Sequence, residues 1–155
     1  MVLFFTLLLL IGKTMFEMGG LKAKSIQHLA TKNICQLGTV IVVFYCCGYG
    51  ISINADGGFY GTGSYFFYDS NFLYRFIACW FAVSIASTGI AERTFLGTHN
   101  SLAVIVAGII YPVVSSWSRG SGWLSDFGFI DYAGAGPVHL VGGTIALIGT
   151  LYLKP

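Results

Sequence analysis

Residues 131 to 153 read DYAGAGPVHLVGGTIALIGTLYL, and Asp131 and His139 are the only acidic or basic side chains in that stretch. A neutral imidazole donates a hydrogen bond at one ring nitrogen and accepts at the other, so it can hand polar molecules or protons along a narrow path. At the helical rise of 1.5 Å per residue, His139 lies about 12 Å below the aqueous end marked by Asp131. An ionisable residue at that depth in lipid faces a bundle interior or a wet path and marks a functional site by default. The plainer reading is a neutral ring hydrogen-bonded to a neighbouring helix. Asp131 stands where a loop turns into helix. It is placed to cap free N–H groups or to sit on the positive end of the helix dipole, and a carboxylate there would also attract a cation. Lys13 and Glu17, four apart, share one helical face and can pair, either for folding or for a contact between subunits.

The elements that carry these residues are apolar. The chain is 55% hydrophobic and 9% charged, with a mean hydropathy of +0.77, whereas a soluble domain carries about a quarter charged residues. It reads as an all-α integral membrane protein. Stretches near the roughly 20 residues a bilayer requires fall at about 2–20, 33–53, 71–91, 95–117 and 133–153, giving one transmembrane domain over residues 1–155. MVLFFTLLLLIG is read as a first transmembrane helix, since it lacks the flanking signals of a cleaved leader. Pro112 removes a backbone hydrogen bond and bends the fourth span. Gly142 and Ala146, four apart, form a small-residue face for close helix packing.

Loop charges set an orientation. Lys22, Lys24 and Lys32 follow the first span, Glu92 and Arg93 the third, and Lys154 ends the fifth, while Asp56 and Asp69 occupy the loop between the second and third. The bias of Lys and Arg towards the cytoplasm predicts an outside N-terminus and a cytoplasmic C-terminus. Tyr60, Tyr65, Tyr68, Trp117, Trp123 and Tyr132 crowd the two outer loops, as an interfacial belt does. His28 and His99 are expected at interfaces, and Glu92 and Arg93 in salt bridges or backbone contacts. The net charge of +2 is scattered and gives no footprint for nucleic acid. Cys35, Cys46, Cys47 and Cys79 lie in apolar runs without CxxC or Cys/His spacing, so neither zinc nor a disulfide framework is supported. With no nucleophile–base pair, phosphate loop or metal cluster, the chain is expected not to be an enzyme and to need no cofactor.

At these residues a family becomes recognisable. DYAGAGPVHLVGG resembles the D-F-A-G-x-x-V-H-x-x-G-G signature of the ammonium transporter (Amt/Mep/Rh) family, and ASTGIAER its S-G-x-x-A-E-R turn, which points to the non-Rh branch. YPVVSSWSRGSGWLSDFGFIDYAG is similar to its Y-P-V-V-S-H-W…G-W…D-F-A-G passage, and GGLKAKS to its first cytoplasmic loop. The motifs keep the family's order over nearly the whole chain. The resemblance implies one half of an inverted-repeat bundle of about eleven helices, with the substrate path at the junction of the halves. It further implies a trimer whose subunits each hold a narrow pore. An outer vestibule recruits ammonium by cation–π contacts, a phenylalanine gate follows, and two histidines, one from each half, line the path. Passage as neutral ammonia would exclude potassium.

Carried over by position, His139 is the first pore histidine and Asp131 the acid behind the recruitment site. The outer gate phenylalanine falls on Ala78, flanked by Phe76 and Phe81 on what are read as other faces. Trp117 matches one vestibule tryptophan, the other falls on Arg119, and Ser116 replaces the histidine of that string; Trp123 holds the tryptophan of the G-W step. An arginine at a cation-recruiting mouth would repel ammonium. Pro137, two residues before His139, suits a helix starting near Ala135. The implied function is ammonium or ammonia transport across a membrane, expected to be the plasma membrane, as the first half of a channel. Lipid surrounds it, and a homotrimer or a chain supplying the second half completes it. The other reading is a non-conducting membrane protein that associates with full-length subunits or acts as a sensor-like relative.

Overall fold

The computed structural model describes residues 2–20, 22, 25–53, 58–63, 65–66, 69, 71–119 and 122–154. Lys24, Asp56 and Tyr68, used above for loop charge and the aromatic belt, lie outside them. The described residues build an all-α bundle with no strand. Its helices are α1 (Val2–Gly20), α2 (Ile26–Ile51), α3 (Phe72–Thr88), α4 (96–119), the short α5 (Trp123–Asp126) and α6 (Ala135–Leu153). The apolar stretches Ile26–Ile51, Leu96–Asp126 and Ala135–Leu153 are long enough to cross a membrane; Phe72–Thr88 is apolar and shorter.

The third helix lies at the centre. It buries Phe72, Phe76, Ile77, Cys79, Trp80, Ala82, Val83 and Ala86, with Ser84 and Ser87 near its end, on more than one side, as a largely apolar helix does inside a bundle. Its start is held by Asp69, whose carboxylate accepts the N–H of Asn71 and, at 3.1 Å, of Phe72. That satisfies donors which the first helical turn leaves free. At the end of α2 the chain folds back, so that Gly61 and Gly63 donate to the carbonyls of Ile51 and Gly50 at 2.8 and 3.0 Å.

Small residues let α6 approach α3. A Cβ on Gly142 would sit 2.9 Å from the Ile85 side chain, and Ala146 occupies the space opposite Gly89, where a Cβ would meet it at 2.8 Å. Without a hydrophobic force between helices in lipid, such close approach carries the association. Three helices contain one widened turn each, at Phe44–Gly48, Val106–Ile110 and Ala135–Leu140. The second lies directly before Pro112, which cannot donate back and whose ring crowds the carbonyl of the preceding turn. What the structure shows beside this proline is the widened turn Val106–Ile110.

Candidate functional site

The helix that carries His139 begins at Ala135, which puts Pro137 in its first turn where its missing N–H costs nothing. Ala133 and Gly134 take left-handed backbone conformations, φ 55° and 84°, just before it. The Gly134 carbonyl then accepts from both Val138 and His139, at 3.0 and 3.4 Å. The bond from His139 spans five residues, the signature of a widened turn, a feature that recurs at functional sites. Asp131 closes this end: its Oδ1 accepts the Gly136 N–H at 3.0 Å.

His139 is not sealed among its own helices. Its side chain is exposed and lines a cavity of about 260 Å³ whose walls include Tyr74, Ala78, Phe81 and Arg119. The Phe81 ring meets the imidazole edge-on, with centroids 5.7 Å apart and planes at 83°. Tyr74, Ala78 and Phe81 recur at helical spacing on one face of α3. Ala78 and Phe81 therefore share a wall, contrary to the expectation that they lie on different faces.

Arg119 shapes the rim. Its Nε donates to Asp131 Oδ2 at 3.0 Å, with the carboxylate side chain 1% exposed and the arginine 14%. The guanidinium also lies 5.8 Å from the centre of the Tyr74 ring. Nη1 is buried and has no hydrogen-bond partner among the described residues. Asp131 thus caps the helix and pairs with Arg119 at once.

The other sequence candidates lie elsewhere. Phe76 is buried in the core, stacked on Phe72 with centroids 6.3 Å apart and planes 6° from parallel. Trp117 and Trp123 pair with each other at 5.8 Å, and Trp117 Nε1 donates to the Phe59 carbonyl at 2.7 Å. This aromatic group adjoins the Arg119 end of α4 and does not line the His139 cavity.

A second polar cluster is buried between α1, α2 and α3. Glu17 pairs with Lys13 and also bonds Thr88, while Lys13 bonds Ser84. Asn33 Nδ2 donates to Glu17 Oε2 at 3.0 Å, and Lys32 Nζ lies 3.9 Å from the same oxygen. Lys32 donates to Ser87 Oγ at 3.0 Å, Ser87 donates to Gln36 Oε1 at 3.2 Å, and Gln36 Nε2 donates to the His99 carbonyl at 3.2 Å. His99, expected at an interface, is fully buried, with its Nε2 2.9 Å from Thr94 Oγ1. Lys32, expected in the loop before a span at 33–53, lies buried inside a helix that begins at Ile26. The signal that could have found the cluster is Lys32, Asn33 and Gln36 at one-, three- and four-residue spacing inside an apolar run. Glu92 and Arg93 make backbone contacts, Glu92 accepting the Lys22 N–H and Arg93 donating to the Thr150 carbonyl, each at 3.0 Å.

The apolar helical bundle defines a polytopic membrane protein, and a cavity between its helices holds an exposed imidazole. The profile of the Ammonium Transporter Family matches residues 1–155, and the chain belongs to that family. It is 31% identical to an ammonium transporter of Archaeoglobus fulgidus over 93% of this chain and 35% of that protein. It is 32% identical to ammonium transporter 1 member 1 of Arabidopsis thaliana over 88% and 31%, and 28% identical to ammonium transporter 3 of Dictyostelium discoideum over 93% and 35%. The chain spans about a third of the length of these relatives.

Proposed function

We propose that this chain takes part in ammonium or ammonia transport across a membrane, with the His139 cavity forming one wall of the conduit. The observation that carries the reading is the exposure of His139 in an open cavity beside Phe81. A buried structural histidine would instead have its ring nitrogens satisfied by neighbouring helices. A complementary set of helices, from further chain or from a partner, supplies the opposite wall, and a trimer in the plasma membrane is the proposed assembly. The spans cross with the Lys22 loop, the Glu92–Arg93 turn and Lys154 on the cytoplasmic side. The test is growth of a host lacking its own ammonium uptake on low ammonium, with the chain expressed alone and together with a complementary set of helices. Growth in the combined case supports transport. No growth in either case, with both proteins present in the membrane, overturns it.

The sealed Asp131 and the small Ala78 favour a second reading, a non-conducting subunit that associates with full-length transporters. It is distinguished by capture of a full-length subunit together with unchanged growth.

A further inference from the structure

We propose that Arg119 is a specificity-determining residue that makes the His139 cavity select the uncharged base over its cation. This inference rests on the proposed function and names the form of the substrate that the site takes.

The carboxylate that would otherwise favour a cation is spent. Asp131 Oδ1 accepts the Gly136 N–H and Oδ2 accepts from Arg119 Nε, both at 3.0 Å, and its side chain is 1% exposed. The charged side chain that lines the cavity is the guanidinium itself. An arginine keeps its charge at every pH a protein meets; paired with Asp131 it forms a neutral couple whose positive end faces the cavity, the carboxylate being 1% exposed. In the low-dielectric wall of a membrane bundle that end disfavours any monovalent cation, ammonium and potassium alike. The Tyr74 face, which would attract a small cation, is already met by the guanidinium at 5.8 Å. Cation–π recruitment at that ring is therefore pre-empted.

The same guanidinium offers a free base something it denies the cation. It lines the cavity and carries only donors. Ammonia or a small amine has a lone pair that can accept from an arginine N–H. Ammonium has four donors and no lone pair, so it cannot. Arg119 thus discriminates by hydrogen-bond polarity as well as by charge. His139, able to donate or accept, stands across the cavity to receive the base. Proton loss then takes place in bulk water before entry, and the site needs no proton acceptor of its own.

The chain holds three arginines, Arg75, Arg93 and Arg119, so nitrogen-15 arginine labelling of the protein in lipid nanodiscs gives few side-chain signals, and Arg119→Gln assigns the one of interest. Ammonium chloride is titrated in mildly acidic buffer, where it is almost wholly cation, and in alkaline buffer, where free ammonia is abundant. Potassium chloride at matched ionic strength and buffer pH serves as the blank. The expected result is a saturable shift of the Arg119 signal with ammonia in alkaline buffer and none with ammonium or potassium. A shift of equal size with ammonium in acidic buffer, or no shift with ammonia, overturns the proposal. In proteoliposomes containing the completed pore, Arg119→Gln should gain an ammonium current in acidic buffer that the native protein lacks, while Arg119→Lys, which keeps charge and donor, should not. Absence of any ammonia flux through the native completed pore would refute the proposed function, and the arginine signal would still decide the role of Arg119.

Discussion

The bundle holds two polar regions with opposite designs. Around Glu17, two lysines, an asparagine and three hydroxyl-bearing residues converge from three helices, and the side chains of Lys32 and Glu17 are 0% and 1% exposed. Around His139 the cavity is open and its histidine is exposed. The first region ties its own helices together. The second leaves an imidazole exposed at the edge of the Phe81 ring. Buried charge is tolerated where partners surround it, and exposed polarity at membrane depth is tolerated where a wet path or another wall completes it. The difference teaches which polar residues hold the fold and which are available for work.

That division can be broken or sharpened in order of expected effect. Glu17→Ala strips the buried anion from Lys13 and Lys32 and should cost about 3–5 kcal/mol, read as a large drop in the midpoint of thermal or denaturant unfolding in detergent. If unfolding hardly moves, the cluster is not what joins α1 to α2 and α3. Gly142→Val forces side-chain atoms against Ile85, from which even a Cβ would be 2.9 Å away, and overpacking of this kind costs about 1–3 kcal/mol. The measure is the same unfolding midpoint, together with loss of α3–α6 cross-linking between introduced cysteines. Ser87→Ala removes one hydroxyl between Lys32 and Gln36 and should cost about 1 kcal/mol. His139→Leu should change stability least, within about 0.5 kcal/mol, because an exposed ring leaves little packing to lose. A destabilisation by His139→Leu as large as that of Glu17→Ala would erase the distinction between the two regions.

Much of the architecture was legible in the sequence, and the reasons are local. Long apolar runs give helices, Pro137 marks the start of α6, and the pairing of Lys13 with Glu17 follows from their spacing of four. The position of Asp131 at the loop–helix junction announced a cap, and the Gly136 N–H provides it. What depended on relations between distant segments was not legible. Lys32 and Ser87, 55 residues apart, and Gln36 and His99, 63 apart, meet only after the helices pack. Lys32 reads as a loop charge only while the second span starts at residue 33; a helix from Ile26 and burial beside Glu17 reverse that reading. Phe76 and Phe81 look alike in sequence, yet one faces Phe72 in the core and the other faces His139. Their spacing of five residues already separates them on a helix, and the spacing of Tyr74, Ala78 and Phe81 already joins those three on a face. Arg119 was recognisable as a misfit at a cation mouth, but its engagement with Asp131 required the fold.

The most direct test is uptake of methylammonium by His139→Leu in the completed pore, measured across a range of pH beside the native protein, with equal amounts of each in the membrane. If the imidazole lines the conduit, uptake should fall or its pH profile should change while the unfolding midpoint stays put. Identical uptake at every pH would assign His139 to packing and leave the family relationship without a transport role for this site.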